Sequence, residues 1–254
     1  MKFPLRLSFD LLRSRLARAF AGGRGATILH LSPAAFSAPS QKEIDAESNP
    51  LASLMEIPAE LISQVGAPVL WLGGEEPLQN PVIGRISAAL NAAGHNVFMH
   101  TDGQRLRQRI HEFRPEPRLF LTVELAGREA IHDQAVGRPG AFRRVIEGIQ
   151  AAKLSGFHVC AHVTVGPRTQ FCETGELFDS LDRYDVDGFI VSSGGSQEAA
   201  PRGETREKVA EIRSLVRSRQ WEDFSELLEA SYGAPPARTI PVRSTESGAC
   251  RENA

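Results

Sequence analysis

Leu70-Trp71-Leu72-Gly73-Gly74-Glu75-Glu76-Pro77-Leu78-Gln79-Asn80-Pro81 sets the architecture of the chain. An apolar run from Ala67 to Leu72 stops at two glycines, two carboxylates and a proline come next, and a helix is expected from Pro81. That is a strand, a glycine turn and a helix, with polar groups at the strand's C-terminal end. In parallel α/β folds ligands sit at that end.

The same alternation continues on both sides of this stretch. Apolar strands are expected at 67–72, 95–101, 118–125, 157–165 and 187–192. Helices are expected at 81–94, 104–113, 139–154 and near 173–184, with a short turn after Ala126-Gly127. Strand–helix alternation of this kind predicts a parallel sheet with helices outside it, curled by right-handed crossovers into a partial or full parallel (β/α) barrel. Upstream, 26–31 reads as a first strand, 32–50 as a polar loop and 51–65 as a helix. Downstream, 203–217 and 220–231 read as two further helices and 233–254 as a disordered tail. The expected domains are an N-terminal helix over 1–25, an α/β barrel with C-terminal helices over 26–232, and the tail.

The first 22 residues are amphipathic and basic. Leu5, Phe9, Leu12, Leu16 and Phe20 recur at helical spacing, with Arg6, Arg13, Arg15 and Arg18 among them. The arginines interrupt any signal-peptide core. Packing on the domain's edge is the commoner fate of such a helix. The sharper alternative is peripheral attachment to an acidic membrane surface, on the inner face for a cytoplasmic protein. The formal charge of −2 gives no case for nucleic acid. Three scattered cysteines, Cys160, Cys172 and Cys250, make no disulfide framework, and a reducing cytoplasm is the default.

Alternation also predicts which strand residues face the interior. These are Phe98 and His100, followed by Asp102; Phe120, Thr122 and Glu124; and His158, Cys160, His162 and Thr164. A dry barrel would fill such places with branched aliphatics. The interior is therefore expected to be a wet pocket, with Glu75, Asp102, Glu124 and His162 converging on one cavity. His158 and His162 lie ~13 Å apart at ~3.3 Å per residue, too far to share one ion comfortably. Hydrogen-bonded polar residues are favoured over a metal site, and no metal is expected.

The glycine stretch resembles the Gly-Gly-Glu-Pro motif of radical S-adenosylmethionine (SAM) enzymes. Gly73, Gly74, Glu75 and Pro77 match, and Glu76 reads as one extra residue. Leu78, Asn80 and Pro81 match the Leu and the Asn-Pro helix start that come after the motif in that family. Thr101-Asp102-Gly103, the run Thr122 to Gly127, His132-Asp133 with the helix after it, and Asp187-Gly188 with Ser192 are similar to later elements of the family, closest to its hopanoid-synthesis branch. The resemblance implies a barrel of radical SAM type. It also implies a SAM site made of Gly73, Gly74, Glu75, Pro77, Asp102, Thr122, Glu124, His162 and Ser192.

The family's cluster loop carries Cys-x-x-x-Cys-x-x-Cys, whereas the matching loop Pro33 to Lys42 has no cysteine. Thiolates are the donors such clusters need. The cofactor expectation is accordingly no iron–sulfur cluster, with SAM possible but doubtful. The functional expectation is a degenerate member of the family that binds a small molecule in the barrel or a protein partner. Two alternatives stand beside it. One is an enzyme using His100, Asp102, Glu124 or His162 as acid, base or metal ligand. The other is a SAM-dependent radical enzyme related to hopanoid synthesis.

Overall fold

The computed structural model describes residues 3–20, 26–33, 67–166, 169–193 and 203–232. The expected helix at 51–65, most of the loop at 32–50, Gly194-Gly195 and the tail lie outside them.

Six strands form one sheet in chain order: β1 (Ile28–Leu31), β2 (Val69–Leu72), β3 (Asn96–Thr101), β4 (Leu119–Glu124), β5 (His158–Val165) and β6 (Gly188–Ser193). Every adjacent pair is parallel. Sequential order without reversal is the winding of a half-barrel, as the strand–helix alternation predicts. Four of the helices described among the crossovers are α2 (Ile83–Ala92), α4 (Glu129–Val136), α5 (Ala141–Leu154) and α6 (Phe171–Asp182). The expected helix at 104–113 is instead a single α turn, α3 (Leu106–Arg109), running into a 3-10 turn, Ile110–Glu112. α4 replaces the expected short turn. Its boundary signals were in the sequence, since Gly137 ends it in the left-handed conformation (φ 70°) that glycine adopts without strain.

The outer face of the sheet is dry. Val97, Met99, Leu121, Val123, Val159, Val163, Phe189 and Val191 are all buried there. The inner face reads as lateral rows set by the register. His30, Trp71, Phe98, Phe120 and His158 make one row. His100, Thr122, Cys160 and Gly188 make the next, followed by Glu124, His162 and Ile190. The inward parity expected from alternation is therefore the observed one.

Two further helices close what the strands leave open. α8 (Arg219–Tyr232) lies against the inner face, and α7 (Gly203–Arg213) precedes it. Phe98 stacks on Phe120 at 4.4 Å and on Phe224 of α8 at 4.6 Å, with Trp221 edge-on. The floor of the half-barrel is thus an aromatic plug, which corrects the expectation of a wet interior throughout. The expectation failed because the residues that fill the floor come from a helix far downstream of the strands they cover, beyond the reach of strand periodicity.

α8 also satisfies an open sheet edge. Ser225 Oγ accepts from Val191 N at 3.1 Å, and Glu229 accepts from Ser193 N at 2.8 Å. At the opposite edge Ser231 Oγ meets His30 Nε2 at 2.7 Å. α1 (Leu5–Phe20) crosses the N-terminal end of the sheet. Its Asp10 binds Asn96 Nδ2 at 2.9 Å and pairs with Arg118, at the starts of β3 and β4.

Candidate functional site

The site is built where β2 to β6 end. β2 runs into Gly73 and Gly74, and Gly74 has φ 98°, a left-handed turn that a side chain would strain. A Cβ at Gly73 would come within 3.1 Å of the Trp71 indole nitrogen and 3.4 Å of His100. The turn then meets Glu76, whose carboxylate accepts three hydrogen bonds: from Leu78 N at 2.9 Å, Thr101 Oγ1 at 2.6 Å and Asp102 N at 2.8 Å. Pro77 is buried at the first position of the 3-10 turn Pro77–Gln79, which Glu76 caps. The glycine turn after β2 is in this way latched to the end of β3. Burial raises the Glu76 pKa, against the lowering effect of Thr101 and the backbone donors. Glu75 is exposed on the turn. The residue read as an extra in the motif is thus the one that makes the contacts, and its position immediately before the proline was the signal.

Beside the latch lies a polar row on the inner face. Glu124 Oε1 accepts from Thr164 Oγ1 at 3.1 Å, and Glu124 Oε2 lies 3.8 Å from His100 Nε2. His100 Nε2 meets His162 Nδ1 at 2.9 Å, and His162 Nε2 meets Ser192 Oγ at 2.8 Å. Ser192 in turn is hydrogen-bonded to Tyr232 of α8. One chain of contacts therefore runs from Glu124, half in solvent, to Tyr232 at the C-terminal end of α8.

The row is electrostatically neutral inside. Burial pushes the His162 pKa well down and lowers that of His100, against the pull of Glu124 and Asp102. Burial, with a smaller contribution from His100, takes His30 down to about 4. Burial raises the Tyr232 hydroxyl. Neutral imidazoles in series donate through one ring nitrogen and accept through the other. The Thr122 hydroxyl is buried without a hydrogen-bond partner beneath this row. Sequence parity found His100, His162, Thr122 and Glu124, and Ser192 came from the family resemblance alone. It missed His30, Ser231 and Tyr232, because no local pattern links the first strand to the last described helix.

The four residues expected to share one cavity do not all do so. Glu124 and His162 are in the row. Asp102 accepts from Gln104 N at 2.9 Å and lines a separate cavity of about 540 Å³ with Arg105, Arg138 and Arg144. A second cavity, about 340 Å³, opens at the ends of β4 and β5 and is lined by Ala126, Gly127, Thr164, Gly166, Thr169 and Glu173 among others. On α4, His132 Nδ1 accepts from Ala126 N at 3.3 Å, and its Nε2 is buried without a partner. Asp133 caps α5 by accepting from Phe142 N at 2.8 Å. Among the described residues no group of three His, Cys, Asp or Glu side chains is placed to hold a metal ion.

The family model of the radical SAM superfamily matches residues 34–181. A curated relative, the AdoMet-dependent heme synthase of Methanosarcina barkeri, is 33% identical over 144 residues, which is 54% of this chain and 41% of the relative. The chain thus spans well under half the length of that relative. Among solved structures, Streptococcus suis SuiB bound to S-adenosylmethionine superposes with TM-score 0.55 at 13% identity, covering 80% of this chain and 48% of that one. SuiB bound to precursor peptide SuiA gives 0.53 at 13% identity, over 80% and 50%. At such identity these neighbours bear on the fold alone.

These matches correct the cofactor expectation. An absent iron–sulfur cofactor and a doubtful SAM do not describe the matched family, whose usual cofactors are a 4Fe–4S cluster and SAM, and the curated relative is named for its dependence on AdoMet. Several described residues offer groups that would hold SAM. The mouth is lined by Thr164 and Thr169 and by Gly127 and Gly166, with the Glu124 carboxylate beside it on Thr164. They do not supply cluster ligands, since the described thiols are Cys160, buried in β5 with its pKa raised by burial, and Cys172, exposed on α6. With the match spanning more than half of its residues and the half-barrel in place, the chain belongs to the radical SAM superfamily.

Proposed function

We propose that this chain binds SAM across the C-terminal ends of β2 to β6 and presents it to a second small molecule over the Glu124–His100–His162–Ser192 row. The observation that carries the reading is the Glu76 latch, which accepts donors from the 3-10 turn after β2 and from the end of β3 at once. It fixes the Gly73–Gly74 turn before any ligand arrives, and a pre-formed backbone lowers the cost of binding. In this reading the turn takes the amino group of SAM through its backbone. Thr164, Glu124 and the mouth between Gly127 and Gly166 take the nucleoside. Bound SAM supplies an electrophilic sulfonium carrying an adenosyl group. The chain's own part is to orient it, to exclude water by means of the aromatic floor, and to offer neutral imidazoles for proton movement toward Ser192.

Isothermal titration of the full chain with SAM and with S-adenosylhomocysteine tests this. Saturable one-to-one binding is expected, weakened about tenfold or more by Glu76→Ala, the loss of roughly one charged hydrogen bond's net worth. Glu75→Ala should leave it unchanged. No heat with either ligand sinks the proposal. The finer roles divide on the fate of SAM under reducing conditions. Intact SAM makes the chain a binding protein, and 5′-deoxyadenosine makes it a radical enzyme. Neither hopanoid nor haem synthesis is assigned, since the first rests on short fragments and the second on a relative matched over 41% of its length.

A further inference from the structure

α1 carries two apolar faces, and the fold uses only one. Leu7 and Leu11 are buried, and Phe3, just before the helix, meets Trp221 edge-on at 4.7 Å. On the other side Leu5 (86%), Phe9 (64%), Leu12 (55%), Leu16 (52%) and Phe20 (88%) are exposed, and they account for five of the eight large exposed hydrophobics among the described residues. At about 100° per residue these five fall within a stripe about 80° wide, opposite the buried pair. Helical geometry puts Arg6 and Arg13 along one border of the stripe and Arg15 along the other. The helix's sole acid, Asp10, is turned inward onto Asn96 and Arg118. The outward face is thus apolar at its centre and cationic at both margins.

That distribution selects the occupant. A second copy of the chain would bring arginine borders against arginine borders. A lipid surface with anionic headgroups takes the stripe at the acyl boundary and the guanidinium groups at the phosphates, with the arginine stems lying along the apolar face. No helix of the described residues is long and apolar enough to cross a membrane, so the helix lies on the surface. We infer that α1 docks the half-barrel onto an anionic membrane surface through Leu5, Phe9, Leu12, Leu16 and Phe20, with Arg6, Arg13 and Arg15 at the headgroups. Because α1 crosses the N-terminal end of the sheet, at Asn96 and Arg118, the docked protein holds its ligand mouth away from the lipid.

Co-sedimentation of the full chain with vesicles tests the inference independently of any ligand. With vesicles of phosphatidylcholine containing phosphatidylglycerol, the bound fraction should exceed that with phosphatidylcholine alone by about tenfold or more, since each basic residue near such a surface adds measurably. High salt should reduce it. Phe9→Glu/Leu16→Glu should abolish binding, and Arg13→Glu/Arg15→Glu should remove the preference for anionic lipid. Both variants should keep the wild-type circular dichroism and melting temperature, because the altered side chains are outside the core. Equal binding to both vesicle types, or no sedimentation with either, overturns the inference. So does a wild-type dimer that Phe9→Glu/Leu16→Glu converts to monomer while vesicles leave the wild type in the supernatant, which would assign the face to a second copy.

Discussion

Glu75 and Glu76 are neighbours with the same side chain and opposite situations. Glu76 is half-buried and accepts from Leu78 N, Thr101 Oγ1 and Asp102 N, while Glu75 stands in solvent. Removing an acceptor from several donors leaves them to find water or go unpaired, so Glu76→Ala should cost about 2 kcal/mol in urea unfolding. Glu75→Ala should stay within about 0.5 kcal/mol. Equal costs would remove the latch from the account. Gly188 makes a second single-residue test. A Cβ there would sit 2.2 Å from a Trp221 ring carbon, and an indole held in a packed core cannot step aside cheaply. Gly188→Ala should destabilise by about 2–3 kcal/mol, as overpacking does. A wild-type urea midpoint would show that α8 is free to move off β6. The sequence displayed both residues but not their roles. Gly188 reads as an ordinary strand-start glycine until the indole from α8 is placed on it.

At the scale of elements, the strands were legible because apolar runs alternating with helices have few physical outcomes. The boundaries shifted by one or two residues, as fraying ends do. α4 was legible at its glycine end but not as a core helix, because its apolar residues Ala130, Ile131, Ala135 and Val136 are not the ones it buries; its single buried side chain is the polar His132. Helical periodicity has little to register in such a segment. The inner-face rows were legible by parity, but the plug from α8 was not, since its partners are fixed by tertiary packing rather than by local pattern. α1 was legible as amphipathic. Its two faces divide the two readings of the segment: packing holds for Leu7 and Leu11, and the other side is left over. Leu7→Ala should therefore cost about 3 kcal/mol, the transfer and cavity terms of a fully buried leucine. Leu12→Ala, on the open side of the same helix, should stay within about 0.5 kcal/mol. Equal effects in thermal unfolding would mean that α1 is not seated as described.

The whole molecule carries a common electrostatic signature, because burial holds four of its imidazoles neutral. It lowers the pKa of His30, His100, His132 and His162, and His30 falls to about 4. In the unfolded chain each regains an ordinary value near 6.5. Above that pH both states hold these rings neutral, and the histidines leave stability independent of pH. Below it the unfolded chain takes up protons that the fold refuses, so stability drops as pH falls. Each such group contributes a slope of up to about 1.4 kcal/mol per pH unit. For His30 the window runs from near 6.5 down to about 4. Asp187 reinforces the trend at lower pH. Burial would raise it, but His158, Lys153 and the Val159 amide hold it below the ordinary carboxylate value, and that stabilisation is lost as it protonates. Glu76 works the other way: burial raises its folded pKa, so the fold takes up that proton first, and this offsets part of the loss as pH falls toward the carboxylate range. Urea midpoints should therefore be flat from about pH 8 to about 7 and fall progressively toward about pH 5. His30→Asn should flatten part of that slope, at some cost to stability at neutral pH. A midpoint unchanged between about pH 7.5 and about 5 would mean that the imidazoles reach solvent, and that the row from Glu124 to Tyr232 is not the dry, hydrogen-bonded chain described.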